Sequence, residues 1–399
     1  MGVQNKTAID KIVVCPDKFK GGLSSDKVAS AIKEGLERFF PGTVEIQAVE
    51  MADGGDGSAD LFGRLTKAKR MDSQVCGPLG NTISSYYMMS GETAFVECAK
   101  ACGLAIVPDE KRNPLNTTTF GVGQLIRDAL EKGARTVYVG VGGSSSNDCG
   151  IGMLQGLGFS VGLPEGEKGC GGNLHLAGQV LEPSDKVLLE KIKSARFIII
   201  NDVDNPLCGP EGAARVYSLQ KGADEQMAKR LDENAVGFLS RCGRTSFSRT
   251  NALEASLFPG AGTAGGMGFA LLHFLGAESI SGFEFFGEKL QDLSAKIAEA
   301  DLVISGEGRI DSQSLYGKVV GGCCKALRSC KDVEDKHLWL FCGKGTLDAE
   351  EIASACGGAG VKLFQLADIE SDMKARMKRE YPLLVQLSYR AAKELDTTL

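Results

Sequence analysis

Short apolar runs alternate with longer stretches in which apolar residues recur every three or four positions, and this alternation predicts strands separated by helices at both ends of the chain. The run Ile12-Val13-Val14 reads as a first strand. A helix follows from about Ser24, its N-cap, with Val28, Ile32, Leu36 and Phe39 on one stripe and Pro41-Gly42 as the stop. Residues 44–49 make a second strand, and Ala59, Phe62 and Leu65 mark a second helix. The last hundred residues repeat the theme, with strands at 302–304, 338–341 and 361–364 separated by helical segments. Such alternation is what a parallel sheet requires, because each parallel connection must cross over.

Between these ends the texture changes. From about Asp72, two alternating segments flank Pro78-Leu79-Gly80-Asn81, and with residues 93–96 they read as hairpins rather than crossover units. Val122, Leu125, Ile126, Ala129 and Leu130 fit one face of a helix over 119–132, with Gly133 at its C′ position and a strand at 136–141. Another apolar run, 197–200, leads into Asp202-Val203-Asp204-Asn205. We therefore expect a doubly wound α/β domain built from residues 1–72 and 288–399, interrupted by an inserted α/β domain over 73–287. The chain should pass between them near residues 72–77 and 282–287.

Length and composition agree with two globular domains. The chain has 399 residues, 43% hydrophobic and 24% charged, enough apolar material for more than one core. Its formal net charge of −6 argues against a nucleic-acid binder, so anionic ligands must be met by local cations. None of the 13 cysteines forms a C-x-x-C pair, which points to buried thiols and a reducing compartment. No apolar leader opens the sequence, and no run approaches a membrane span. Gly2 lacks the Ser or Thr that myristoylation needs at position six, which is Lys6. A cytoplasmic protein, with homo-oligomerisation open, is the resulting expectation.

Several polar, glycine-rich loops follow the strand-like runs, where open α/β sheets place their ligands. Gly142-Gly143-Ser144-Ser145-Ser146-Asn147-Asp148 separates a strand from a helix and suits an anion, with Ser144, Ser145, Asn147 and Asp148 as candidate contacts, although it also fits a tight turn. Asp17-Lys18-Phe19-Lys20-Gly21 brings lysines and a carboxylate to the end of the first strand. Asp53 and Asp56, two glycines apart, suit a base or metal ligands, as do Asp202, Asp204 and Asn205. In Ser305-Gly306-Glu307-Gly308-Arg309-Ile310-Asp311, read as a loop after a buried strand, Arg309 can grip a carboxylate, Glu307 or Asp311 can take Mg²⁺, and Lys318 can join an anion site. This inventory is what phosphoryl transfer needs.

Two familiar nucleotide motifs do not explain the chain. No Walker G-x-x-x-x-G-K-[ST] occurs. The G-x-G-x-x-G at Gly260 is preceded by Pro259 and a poor strand, so it does not read as a dinucleotide fingerprint. His175, His273 and His337 form no triad and read as structural.

Ordered blocks point further. PDKFKGGLSS from Pro16, MADGGDGS from Met51, NPLNTTTFGVGQLI from Asn113, GGSSSND from Gly142, DVDNPLCGPEGA from Asp202, PGAGTAGGMG from Pro259 and SGEGRIDSQSLYGK from Ser305 resemble the bacterial glycerate kinase family, from Lys11 to about Asp368. The chain departs from that pattern at Lys18, Asp56 and Ser58, where the family usually has Ser, Glu and Thr. The resemblance implies a flavodoxin-like domain carrying an inserted swivelling α/β domain, with glycerate as substrate and ATP and Mg²⁺ as co-substrate and metal. Phosphorylation at the 2-hydroxyl is favoured over the 3-hydroxyl. Expected catalytic residues are Asp53, Asp204 and Lys20; substrate or phosphate contacts are Asp17, Lys20, Ser144, Ser145, Asn147, Asp148, Asn205, Arg309 and Lys318; metal ligands are Asp56, Glu307 and Asp311. An NAD-dependent hydroxy-acid dehydrogenase and a noncatalytic sugar-acid-binding protein are the competing readings.

Overall fold

The computed structural model describes residues 9–19, 22–40, 42, 44–315 and 318–396. Contacts divide the chain into a discontinuous unit, running to Asp53 and resuming at Ser281, and an inserted unit, Gly54–Ile280.

Strands β1 (Lys11–Val14) and β2 (Glu45–Ala48) open the discontinuous unit. The inserted unit contributes β3 (Lys69–Cys76), β4 (Thr82–Ser90), β5 (Thr93–Glu97), β6 (Thr136–Gly140), β7 (Arg196–Ile200) and β8 (Glu278–Ile280). The chain then returns with β9 (Leu302–Ile310), β10 (His337–Gly345) and β11 (Gly360–Gln365). The sheet of the discontinuous unit is wholly parallel, in the order β2-β1-β9-β10-β11. This is the flavodoxin-like order, with its switch point between β1 and β9.

Both faces of that sheet are covered. Val13, Val303, Leu338 and Leu340 pack into one core, whereas Ile12, Val14, Ile304, Trp339 and Phe341 pack into another on the opposite face. Alternate residues of a strand point to opposite sides, so continuous apolar runs here are the mark of a sheet buried twice. The helix Ser25–Phe39 keeps the predicted stripe, with Val28, Ile32 and Leu36 buried.

The inserted unit has a six-stranded sheet in the order β3 to β8. β3, β4 and β5 are antiparallel neighbours, as the hairpin pattern predicts, and β5 to β8 are parallel. The helix Phe120–Glu131 and the strand β6 match their sequence patterns.

The structure divides the chain earlier than residues 72/73 and 287/288. The helix Ser58–Thr66 follows β2 in the chain, which makes it read as part of the first α/β series, yet it packs on β4 and β5. Tyr86 on β4 donates to Asp60 of that helix at 2.8 Å, and Glu97 at the end of β5 accepts the Ala59 amide at 3.0 Å. At the other passage, Phe283 enters the core of the discontinuous unit. Among the described residues no helix is long and apolar enough to cross a membrane. Ten of the 13 cysteines are buried, and all are free thiols.

Candidate active site

At the switch point, the loop leaving β1 is fastened to β9: the Cys15 amide donates to Ile304 O and the Asp17 amide to Gly306 O, both at 2.8 Å. This places Asp17 beside Glu307, and the loop after β2 adds Asp53. Lys18 Nζ donates to Asp53 Oδ1 at 2.8 Å, and Lys318 Nζ donates to Glu307 Oε2 at 3.1 Å. The Lys18 backbone N–H also donates to Asp17 Oδ1 at 2.7 Å. Carboxylates outnumber ammonium groups in this cluster. Accordingly burial, then the charge of Asp53 and, more weakly, that of Glu307 push the Asp17 carboxyl up to about 7, against the opposing pull of Lys18. Glu307 Oε1 is buried and accepts no hydrogen bond among the described residues.

The segment from Ser305 to Ile310 is strand rather than loop. It pairs with β10 from Ser305 opposite Leu340 to Ile310 opposite Gly345. Glycine is depleted in strands, so its spacing reads as a loop in the sequence; the neighbouring β10 ladder overrides that preference. The strand period leaves Glu307 and Arg309 on one face. Arg309 is largely exposed and pairs with Asp311 at 3.6 Å, whose amide is held by Ser314 Oγ. Lys20 lies outside the described residues.

The serine loop belongs to the inserted unit, between β6 and the helix Ile151–Leu157. Its side chains turn inward. Ser145 Oγ donates to Cys102 O at 2.9 Å, and Asp148 accepts from the Thr119 amide, the Thr119 hydroxyl and the Gly150 amide. Asp148 therefore ties the loop to the start of the helix Phe120–Glu131. Ser144 Oγ accepts from Lys221 Nζ at 3.1 Å, and the same ammonium donates to Ser146 O at 2.7 Å. Asn147 is 1% exposed, and its Oδ1 has no hydrogen-bond partner among the described residues.

Asp56 is in this unit too, near the start of the loop: a Cβ added to Gly143 would come within 3.2 Å of Asp56 Oδ2. The proposed metal set of Asp56, Glu307 and Asp311 is thus divided, because Asp56 belongs to one unit and the other two to the second. Asp204 is exposed in the loop after β7. Asn205 is engaged internally, donating to Glu211 O at 2.8 Å and accepting from the Tyr217 hydroxyl.

The sequence model of the glycerate kinase family matches residues 12–396. The chain belongs to the glycerate kinase family. It is 42% identical over 319 residues to the Glycerate 2-kinase of Escherichia coli, covering 77% of this chain and 80% of that one. It is 39% identical over 322 residues to the Glycerate kinase of Bacillus subtilis, covering 80% and 82%. A crystal structure of a Salmonella typhimurium LT2 protein assigned as glycerate kinase 2 superposes with a TM-score of 0.73 at 32% identity, covering 98% of this chain and 99% of that one.

Within this family member the glycine segment at Gly260 follows a helix, Ala252–Ser256, not a strand, so no dinucleotide fingerprint is formed. In the inserted unit sequence reasoning missed two buried charges, Glu97 and Lys221. Glu97 ends an apolar strand; burial pushes its carboxyl up to about 7, Lys100 pulls it down, and it accepts the Gly57 and Ala59 amides at the start of the helix Ser58–Thr66. Its position three residues before Lys100 was the available signal. Lys221 carried none, standing among polar residues that read as surface.

The raised Glu97 carboxyl has a consequence for stability. Its folded value lies above the ordinary 4.5, so the stabilisation it brings is present below that value and is lost as pH rises through about 7. A shift of this size is worth roughly 3 kcal/mol. The melting temperature of the native chain, relative to that of Glu97→Gln, should therefore fall between pH 5 and pH 8, as calorimetry at both values would show.

Proposed function

We propose that the protein is an ATP-dependent kinase that transfers the γ-phosphoryl group to the 2-hydroxyl of D-glycerate, with Mg²⁺ as its metal. The observation that carries this reading is the carboxylate and lysine cluster at the β1/β9 switch point, formed by Asp17, Lys18, Asp53, Glu307 and Lys318. Family membership supplies the substrate, and the name of the Escherichia coli relative favours the 2-position.

No group of three or more metal-binding side chains is already arranged around a cation position among the described residues. The donor set nonetheless suits a hard dication. A buried carboxylate oxygen of Glu307 accepts no hydrogen bond among the described residues, and burial, then the charge of Asp53, pushes the Asp17 carboxyl up to about 7. Asp17 and Glu307 would hold Mg²⁺. When bound, the metal neutralises phosphate charge. Lys318 steadies Glu307, and Lys18 fixes the orientation of Asp53. Asp53 takes the proton of the attacking hydroxyl as the new oxygen to phosphorus bond forms, and the electron pair of the broken bond leaves with ADP.

Arg309 is available for the glycerate carboxylate, since its partner Asp311 stands at 3.6 Å and the guanidinium is exposed. Arg309→Ala should raise the glycerate KM about 10- to 100-fold with kcat little changed, the pattern of a lost charge-assisted contact made equally in ground and transition states. Steady-state kinetics at saturating ATP checks this; an unchanged KM returns Arg309 to a surface ion pair. The product itself tests the main reading. ³¹P NMR of a reaction with D-glycerate, ATP and Mg²⁺ should show 2-phosphoglycerate and ADP in equal amounts. ADP release that is indifferent to glycerate refutes the function, and 3-phosphoglycerate refutes the position.

A further inference from the structure

Lys221 is a buried charge that Asp148 supports only from beyond ion-pair distance. It is 4% exposed, and no carboxylate lies within ion-pair distance of it among the described residues. Burying an ammonium in this way is costly unless something compensates it. Two of its N–H bonds are spent on neutral oxygens of the serine loop, Ser144 Oγ at 3.1 Å and Ser146 O at 2.7 Å. Because Ser144 Oγ accepts from Lys221, its own proton must be donated elsewhere. Ser146 Oγ, in the same loop, is fully buried with no partner among the described residues. The site therefore offers hydroxyl donors beside a buried positive charge that no ion pair neutralises among the described residues.

We propose that Ser144 and Lys221 form an oxyanion seat in the inserted unit: the Ser144 hydroxyl donates to a carboxylate or phosphate oxygen, and Lys221, bonded to Ser144, supplies the positive charge that this ligand neutralises. Ser144 touches the ligand; Lys221 is a positioning residue that acts through it. The seat rests on the kinase reading for the choice of probes, D-glycerate for a carboxylate source and ADP for a phosphate source. The groups around Lys221 allow its charge to titrate in an accessible range. Burial pushes its ammonium down to about 8, against weaker support from the Cys102 and Cys98 thiols and from Asp148.

Titration calorimetry of the full chain with each probe, from pH 7 to pH 9.5, tests the seat. Glycerate is fully ionised throughout this range and the terminal phosphate of ADP, with a second pKa of about 6 to 7, is ionised from about pH 8 upward, so the slope above pH 8 is free of the probes' own protonation. For the probe that occupies the seat, the dissociation constant should rise about tenfold per pH unit above about 8, because the charged lysine is lost. Lys221→Met should weaken that probe about 10- to 100-fold and flatten the pH dependence. A folded Lys221→Met that binds both probes with native affinity and native pH dependence overturns the proposal. Should that variant not fold, Ser144→Ala decides, since it leaves the bond from Lys221 to Ser146 O in place. It should weaken the same probe about 3- to 10-fold, and unchanged affinity for both probes overturns the seat. Turnover is scored separately. Native protein that shows the pH-dependent binding without forming ADP would keep the seat and refute the kinase reading, and the opposite result would do the reverse.

Discussion

Asp53→Asn is expected to lower kcat by about 10²- to 10⁴-fold, the usual contribution of a positioned base, while the fold survives. The amide keeps an oxygen that can accept from Lys18, so the geometry at the end of β1 has reason to persist. The Lys18–Asp53 pair is about 29% exposed on both side chains, and a pair so placed contributes at most about 1 kcal/mol to stability. Unfolding therefore cannot account for a loss of several orders of magnitude. The measurement is coupled-assay ADP release at saturating glycerate, ATP and Mg²⁺, with a melting curve on the same sample. Activity within a few-fold of the native chain would remove Asp53 from the chemical step and leave it as the partner of Lys18. Lys18→Met tests the same assignment from the other side: it should lower kcat by a smaller factor, because it frees the base without removing it.

Much of the scaffold that carries Asp53 was legible in the sequence. The apolar runs of β1, β9 and β10 announced a sheet buried on both faces, and alternation with helices announced crossovers. Asp17 and Asp53 were legible as carboxylates in loops beyond β1 and β2, where such sheets place ligands, whereas Glu307 read as a loop residue and lies within β9. Pairing between distant segments was not. Lys18 departs from the usual family residue, and nothing in its neighbourhood announces a bond to a residue 35 positions away. Lys221 reads as a surface lysine and proves buried, because its partners at Ser144 and Ser146 lie 77 and 75 positions earlier in the chain. The helix Ser58–Thr66 follows β2 without interruption, so local pattern assigned it to the wrong unit; its membership is decided by Asp60 and Glu97 contacts that only the fold creates.

Two glycine substitutions should separate these kinds of information in one experiment. Gly133, legible as a helix C′ residue, has φ +99° and open space where a Cβ would stand. Gly133→Ala should cost only the strain of a left-handed conformation, about 1–2 kcal/mol, and lower the melting temperature by a few degrees. Gly265 also has positive φ, +69°, but a Cβ there would lie 2.1 Å from Ser146 O and 2.6 Å from Asn147 Cα. Those are backbone atoms and cannot rotate aside. The glycine lets its own carbonyl accept the Cys149 amide at 3.0 Å, fastening the Gly260 segment to the serine loop. Gly265→Ala therefore adds an overpacking cost of about 1–3 kcal/mol to the same strain, and the melting temperature should fall by roughly 10 °C. Kinetics should diverge further. Displacing Ser146 disturbs an acceptor of Lys221, so Gly265→Ala should lose affinity at the seat while Gly133→Ala keeps native constants. Equal melting temperatures for the two variants would show that the serine loop yields to the added carbon, and that the glycine run at 260–266 is there for its turn alone.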